Sequence, residues 1–179
     1  MSDVADKGGA MGATSVDGSA SGATSGGGPA PGVANAARCY SEDDIDALGR
    51  RLLACTLPKA EWTHAAHLLA AAWLIAARPE LDAPSAMPAI IRAYNEASGV
   101  ANTDTAGYHD TITQASLRAV GAFLAGLPEG TPLAAACAQL LASPYADKAW
   151  LLAHWSPARL FSTPARRGWI EPDIAPLPF

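Results

Sequence analysis

The sequence predicts an all-α protein: a compact multi-helix bundle around one central apolar helix, with an extended Pro-rich strap at the C-terminus. Three observations lead to this fold class. Apolar residues recur at helical spacing in several segments, Pro and Gly residues separate those segments, and no alternation of polar and apolar residues lasts long enough to predict a strand. The chain has 179 residues, a usual length for one domain.

The first part of the chain differs in composition from the rest. Residues 1–36 are rich in Gly, Ala and Ser and contain no aromatic residue, no Leu and no Ile. A segment of this kind buries too little apolar surface to offset the entropy that ordering would remove. We therefore expect a disordered tail over 1–36 and a single helical domain over 37–179.

The first two helices have clear boundaries. Ser41 is a good N-cap, and the three residues that follow it are acidic, which suits the positive end of a helix dipole. The first helix is expected over about 42–56, ending before Pro58 because the residue preceding a proline disfavours the helical conformation. The second is expected over about 63–77.

Three further helices follow in the middle of the chain. The third is predicted over 87–97, with Gly99 as its stop signal. The fourth begins after His109. In the fifth, Thr131 is expected as the N-cap and Pro132 at the first helical position, where a missing N–H has no consequence.

Short helices and an extended segment are predicted for the last forty residues. A short apolar helix is expected over about 147–153. The pairs Ser156-Pro157 and Thr163-Pro164 each combine a capping residue with a proline, and each predicts one or two helical turns. The final segment, Glu171–Phe179, contains three prolines and should form an extended strap.

The second helix should be the central one. It carries no charged residue between Thr63 and Ala77, and it is apolar on opposite faces. A helix that is apolar on all sides is surrounded by other helices. Its polar exceptions include His64 and His67, which are neighbours on one face because they are three residues apart.

This histidine pair needs an explanation, because burying an imidazole without a partner costs about 1–3 kcal/mol. One helix that supplies two ligands at such spacing is common in metal sites. The alternative is two histidines hydrogen-bonded within the core or at its boundary.

A third histidine favours the metal interpretation. His109 ends a polar loop after the third helix, and Asp110 or Thr111 is expected as the N-cap of the fourth. A helix N-terminus disfavours imidazolium, and the neutral ring is the form that binds metals. We therefore expect His64, His67 and His109 to surround one divalent ion; Zn, Fe, Ni and Mn are not distinguished.

Such an ion would lower the pKa of bound water to about 7 and so supply a hydroxide nucleophile. Glu61 and Asp110 are the candidate catalytic residues, as general base or as fourth ligand, and Glu96 ranks behind Glu61 for the same roles. A metal-free alternative uses His64 and His109 for acid–base chemistry beside Asp110.

The candidate substrate-binding residues are Tyr108, in the polar loop, and Arg159. An arginine suits a carboxylate because its guanidinium forms two parallel hydrogen bonds. The alternative is that the arginines of this region tie the strap, with its acids Glu171 and Asp173, to the helices. His154 lies between Trp150 and Trp155 and is expected to belong to an aromatic cluster.

Charge and composition exclude several function classes. The net charge is −5 and no basic cluster exists, which argues against nucleic acid or an anionic membrane surface as a partner. The N-terminus lacks the pattern of a signal peptide, and the longest apolar run is too short to span a bilayer. The three cysteines show no CxxC spacing, so reduced thiols in a cytoplasmic protein are expected.

Three phrases of the sequence resemble those of a set of small uncharacterised bacterial all-α proteins. These are Trp62-Thr63-His64-x-x-His67, Gly107-Tyr108-His109-x-Thr111, and the run from Arg159-Leu160-Phe161-Ser162 to Pro172-Asp173. No activity is established for that set. The resemblance implies only that the histidine phrases belong together.

The leading hypothesis is therefore a cytoplasmic helical protein that binds one divalent metal through a histidine cluster and acts on a small molecule as a hydrolase or related metalloenzyme. The alternative is a non-enzymatic helical binding or structural module whose histidines are hydrogen-bonded core residues. The sequence leaves the oligomeric state and the substrate open.

Overall fold

The computed structural model describes residues 39–179, so the tail predicted over 1–36 lies outside the described residues. Within 39–179 the chain forms seven α-helices, four short 3₁₀ turns and no strand, which confirms the all-α class. The helices are α1 (Glu42–Leu53), α2 (His64–Ala77), α3 (Ala83–Ala97), α4 (Asp110–Ala125), α5 (Leu133–Leu141), α6 (Pro157–Leu160) and α7 (Thr163–Arg167).

Helix α2 lies at the centre of the bundle, as the sequence predicts. It contacts α1, α3, α4 and α5, and its buried residues occupy all of its faces. The approach of α1 is especially close: Gly49 faces the ring of Trp73, and a Cβ at Gly49 would overlap that ring. The glycine is therefore required by packing, although glycine in a helix interior is otherwise unfavourable.

The N-caps of α1 and α2 follow the prediction, but the end of α1 does not. Ser41 forms a capping box with Asp44, and the Thr63 hydroxyl accepts from the N–H of Ala66. Helix α1 ends at Leu53 rather than at 56, because Cys55 adopts a left-handed backbone with φ of 54°. That residue stands where a Schellman motif normally places glycine.

Helix α3 begins at Ala83, four residues before the predicted start, and contains two prolines in its first turns. Pro88 has no N–H to donate to the carbonyl of Pro84. The side-chain amide of Gln114, on α4, donates to that carbonyl at 3.0 Å instead. A contact between helices thus compensates for a bond that the sequence of α3 cannot make.

Two other caps differ from the predicted ones. The N-cap of α5 is Pro132 rather than Thr131, and the carboxylate of Glu42 accepts from the N–H of Ala134 at 3.1 Å. Ser162 rather than Thr163 caps α7, whereas Ser156 caps α6 as expected. The helix predicted over 147–153 is a 3₁₀ turn, Trp150–Ala153, preceded by a second turn at Pro144–Ala146.

Residues 168–179 contain no helix and form the strap. They are held to the start of α4, where the Thr111 hydroxyl donates to the carbonyl of Gly168 at 2.8 Å and accepts from the N–H of Ile170 at 3.2 Å. The indole N–H of buried Trp155 donates to the carbonyl of Ile170 at 3.1 Å. These bonds fix the strap and the neighbouring segment 148–161 against the bundle.

Candidate functional site

An open pocket of about 470 Å³ lies between α2, α3, α4 and segment 148–161. Most of its wall is apolar and combines aliphatic with aromatic side chains. Six lining residues carry polar side chains: Thr63, His64, His67, Thr113, Ser116 and Lys148. The apolar ones are Trp62, Leu68, Ala71, Met87, Ile91, Ile112, Leu117, Trp150, Leu151, Leu152, Leu160 and Phe161.

The first turn of α2 places two histidines on the pocket wall. The Nε2–H of His64 donates to the carbonyl of Tyr145 at 3.1 Å. The Nδ1–H of His67 donates to the carbonyl of Thr63, one turn back on the same helix, at 2.6 Å. The ring of His67 also stacks on Trp62, with 3.8 Å between the ring centroids. Each histidine is therefore held by a backbone carbonyl, which fixes its tautomer.

The surroundings of His67 favour its neutral form. The side chain of His67 is exposed to solvent in the pocket, and the protein atoms near its ring partly desolvate it. This desolvation is the main cause that lowers the pKa of His67 to about 4, and the charges of His64 and Lys148 act in the same direction. The hydrogen bond to Thr63 opposes the shift without reversing it. At neutral pH the ring offers Nε2 to the pocket as an acceptor.

His109 does not line this pocket. It is the N-cap of α4, a role that had been expected for Asp110 or Thr111, and its Nδ1 accepts from the N–H of Ile112. Its Nε2–H donates to the carbonyl of Leu160 at 2.9 Å. The ring is buried, and burial is the main cause that lowers the pKa of His109 below its ordinary value. Both ring nitrogens are thus occupied within the protein.

The three predicted metal ligands consequently do not form one site. The structure brings His64 and His67 to the same pocket and leaves His109 outside it. Among residues 39–179, no group of three or more His, Cys, Asp or Glu side chains is arranged to hold a metal ion. The arrangement of the donors therefore does not support the predicted three-histidine centre.

The two predicted catalytic carboxylates also lie outside the pocket lining. Glu61 forms two parallel hydrogen bonds with the guanidinium of Arg51, at 3.0 and 3.2 Å. Asp110 accepts from the hydroxyl of Tyr108 at 2.8 Å. Each carboxylate thus has a partner within the protein, and neither is hydrogen-bonded to His64 or His67.

The two predicted substrate-binding residues have partners of the same kind. Tyr108 is buried below the guanidinium of Arg92, 4.1 Å from the ring centroid. Its burial, together with the hydrogen bond to Asp110, holds the pKa of the Tyr108 phenol far above its ordinary value. The Nε–H of Arg159 donates to the carbonyl of Glu171 at 2.8 Å. Arg159 therefore ties the strap to α6, as the alternative interpretation of this arginine has it.

The polar loop before α4 is built around one side chain. The Oδ1 of Asn102 accepts from the amide of Asn95 at 2.9 Å and from the N–H of Tyr108 at 3.1 Å. Its amide group donates to the carbonyl of Arg92 at 3.1 Å. Gly107 has φ of 75°, and a Cβ there would lie 2.5 Å from the carbonyl oxygen of Ala101. These bonds and this close approach explain the polar composition of the loop.

Several residues of the pocket are not predicted from the sequence, above all Lys148, Thr113 and Ser116. Lys148 lies in the short link between two 3₁₀ turns, and no motif surrounds it. It reaches the pocket only because segment 148–161 folds back across α2 and α4. Amphipathic spacing on α4 could have indicated Thr113 and Ser116 as polar positions, but not that they face a pocket.

Comparisons with protein families, with curated proteins and with solved structures found no match for this chain. In the part of the chain that the structure describes, no helix combines the length and the apolar character needed to cross a membrane.

Proposed function

We propose that this protein binds a small, largely apolar molecule in the pocket between α2, α3, α4 and segment 148–161, and that it performs no chemistry on it. The proposal adopts the alternative that the sequence left open, a binding module with hydrogen-bonded histidines. The observation that carries it is the pocket itself, with an apolar wall and a few polar groups.

The size and lining of the pocket suit such a ligand. Pockets for small molecules usually have volumes of about 300–1,000 Å³ and mostly apolar walls, with a few polar groups that orient the ligand. The volume of about 470 Å³ lies within that range. Each Å² of apolar surface that is removed from water contributes about 25 cal/mol to the free energy of binding. An apolar ligand that covers this wall therefore binds more favourably than the water it displaces.

The polar groups of the pocket do not form a catalytic arrangement. The Thr113 hydroxyl donates to the carbonyl of His109 at 2.8 Å, and neither Thr113 nor Ser116 is hydrogen-bonded to a lining histidine. In the described lining of the pocket, no carboxylate is present to orient His64 or His67 as a general base. A nucleophile next to an oriented base is the minimum for covalent catalysis, and the described residues do not supply it here.

Trp62 and Trp150 line the pocket, so the intrinsic fluorescence of the protein reports on its occupation. We expect 1-decanol, a neutral apolar probe, to change this fluorescence in a saturable way. Ser116→Phe, at a half-buried lining position, should reduce the affinity for 1-decanol about tenfold or more, because the added ring occupies the space of the probe.

Ala125→Phe is the matched control, since it adds the same ring at an exposed position of the same helix outside the pocket lining. It should bind 1-decanol as the unmodified chain does. Equal binding by Ser116→Phe and Ala125→Phe would contradict the proposal, provided that circular dichroism shows both variants to be folded.

A further inference from the structure

We infer that the ligand of this pocket is a small amphipathic monocarboxylate, whose carboxylate group binds Lys148 and whose apolar part lies against Met87, Ile91 and Leu117. The inference rests on the proposed function and specifies the class of ligand.

Among residues 39–179, Lys148 is the only Lys, Arg, Asp or Glu residue that lines the pocket. Its side chain is exposed at the pocket, and its charge is close enough to act on His67. The salt bridges among the described residues all involve arginines, and none includes Lys148. A chain with a net charge of −5 thus presents an unpaired cation at this pocket.

The start of α2 adds to the positive potential at the same end of the pocket. Thr63 and His64, its N-cap and first residue, line the pocket. The first turn of α2 contains no acidic residue that would neutralise the positive end of the helix dipole, whereas that of α1 contains three. The charge of Lys148 and the dipole of α2 therefore both attract an anionic group at this end of the pocket, and both repel a cationic group.

The single cation also limits the charge of the ligand. No arginine lines the pocket, so the paired N–H donors with which proteins usually hold phosphate are absent from its described lining. One ammonium group matches one negative charge. Since the rest of the wall is mostly apolar, the ligand combines a carboxylate with a hydrocarbon or aromatic body.

The test compares three probes with the same ten-carbon chain and different head groups: decanoate, 1-decanol and decylammonium. Each is titrated into the full-length chain at low ionic strength, with tryptophan fluorescence and calorimetry as the readouts. We expect decanoate to bind roughly fivefold more tightly than 1-decanol, the effect of one partly exposed ion pair, and decylammonium to bind most weakly.

Lys148→Gln should remove most of the preference for decanoate over 1-decanol, because only the field of the α2 dipole remains, and it should leave 1-decanol binding unchanged. Lys59→Gln is the matched control, because Lys59 is also exposed but lies outside the pocket lining. It should change neither affinity. Added salt should reduce the difference in affinity between decanoate and 1-decanol, because it screens the exposed charge of Lys148.

The outcomes separate this inference from the function on which it rests. If 1-decanol binds as tightly as decanoate, or if Lys148→Gln leaves decanoate binding unchanged, the carboxylate assignment is overturned and the apolar binding function stands. If no probe binds in a saturable way, both are overturned.

Discussion

The imidazole of His109 connects the start of α4 to the carbonyl of Leu160, which lies 51 residues further along the chain. The ring accepts the N–H of Ile112 on one side and donates to Leu160 on the other. Leu160 and Phe161 line the pocket. A side chain outside the pocket therefore positions part of its wall.

His109→Ala should reduce the free energy of unfolding by about 1–3 kcal/mol, because it removes a helix cap and leaves the buried carbonyl of Leu160 without its donor. Urea denaturation measures the loss. His109→Gln retains an N–H donor on the side chain and should lose less. Equal stability of His109→Ala and the unmodified chain would contradict this role.

Stability should fall when the pH is lowered from 7.5 to 5. The pKa values of His67 (to about 4) and His109 are lowered in the folded protein, so the unfolded chain binds more protons as the pH falls below its ordinary histidine pKa of about 6.5. Stability is therefore lost from about pH 6.5 downward, and for His67 the loss continues to about pH 4.

Urea denaturation at the two pH values tests this dependence. The double variant His67→Gln, His109→Gln should show a smaller difference between pH 7.5 and pH 5 than the unmodified chain. Asp104 and Asp173 also have lowered pKa values, but their contribution is lost only below their ordinary pKa, near 4. If the double variant loses as much stability between pH 7.5 and pH 5 as the unmodified chain, these histidines are not the cause of the loss.

Gly49→Ala should destabilise the protein by about 1–3 kcal/mol, since the added methyl group would overlap the ring of Trp73 at the contact of α1 with α2. Gly121→Ala provides the control: its Cβ would meet nothing nearer than the Ile75 side chain at 4.0 Å. This second change should stabilise the protein by about 0.5–1 kcal/mol through higher helix propensity. In thermal unfolding, Gly49→Ala should have a lower melting temperature than the unmodified chain, and Gly121→Ala a higher one.

Tyr94→Phe should leave stability unchanged or increase it by up to about 1 kcal/mol. The hydroxyl of Tyr94 is buried, and it has no hydrogen-bond partner in the described part of the structure. Tyr108→Phe, its matched counterpart, should be destabilising because it breaks the hydrogen bond to Asp110. The midpoints of urea denaturation compare the stabilities of the two variants. A larger loss of stability for Tyr94→Phe would show that the Tyr94 hydroxyl has a hydrogen-bond partner in solution.

One equivalent of Zn²⁺ or Ni²⁺ should not raise the melting temperature of the purified protein. The Nε2 of His109 is bound to Leu160, and the described residues offer no third ligand beside His64 and His67. Thermal unfolding with and without the ion, together with elemental analysis, makes the test. A rise that both His67→Gln and His109→Gln abolish would re-establish the three-histidine site.

Local signals explain which parts of the fold could be predicted. Ser41 and Ser156 cap their helices through bonds that span three residues, so their role follows from the sequence nearby. The central position of α2 follows from its lack of charge. Where a distant residue intervened, the prediction was wrong: Gln114 allows α3 to begin before its prolines, and Glu42 supports an N-terminus of α5 that lacks a side-chain cap.

Residue spacing within single segments was enough to predict the all-α class, the central helix, the helix-free strap and the position of His64 and His67 on one helix face. What the histidines do depends on contacts between distant segments. The carbonyls of Tyr145 and Leu160, to which His64 and His109 donate, come from distant parts of the chain. Backbone carbonyls have no signature in the residue types, so hydrogen-bonded histidines and metal ligands look alike in the sequence. The pocket forms, and Lys148 lines it, only because segment 148–161 folds back across α2 and α4.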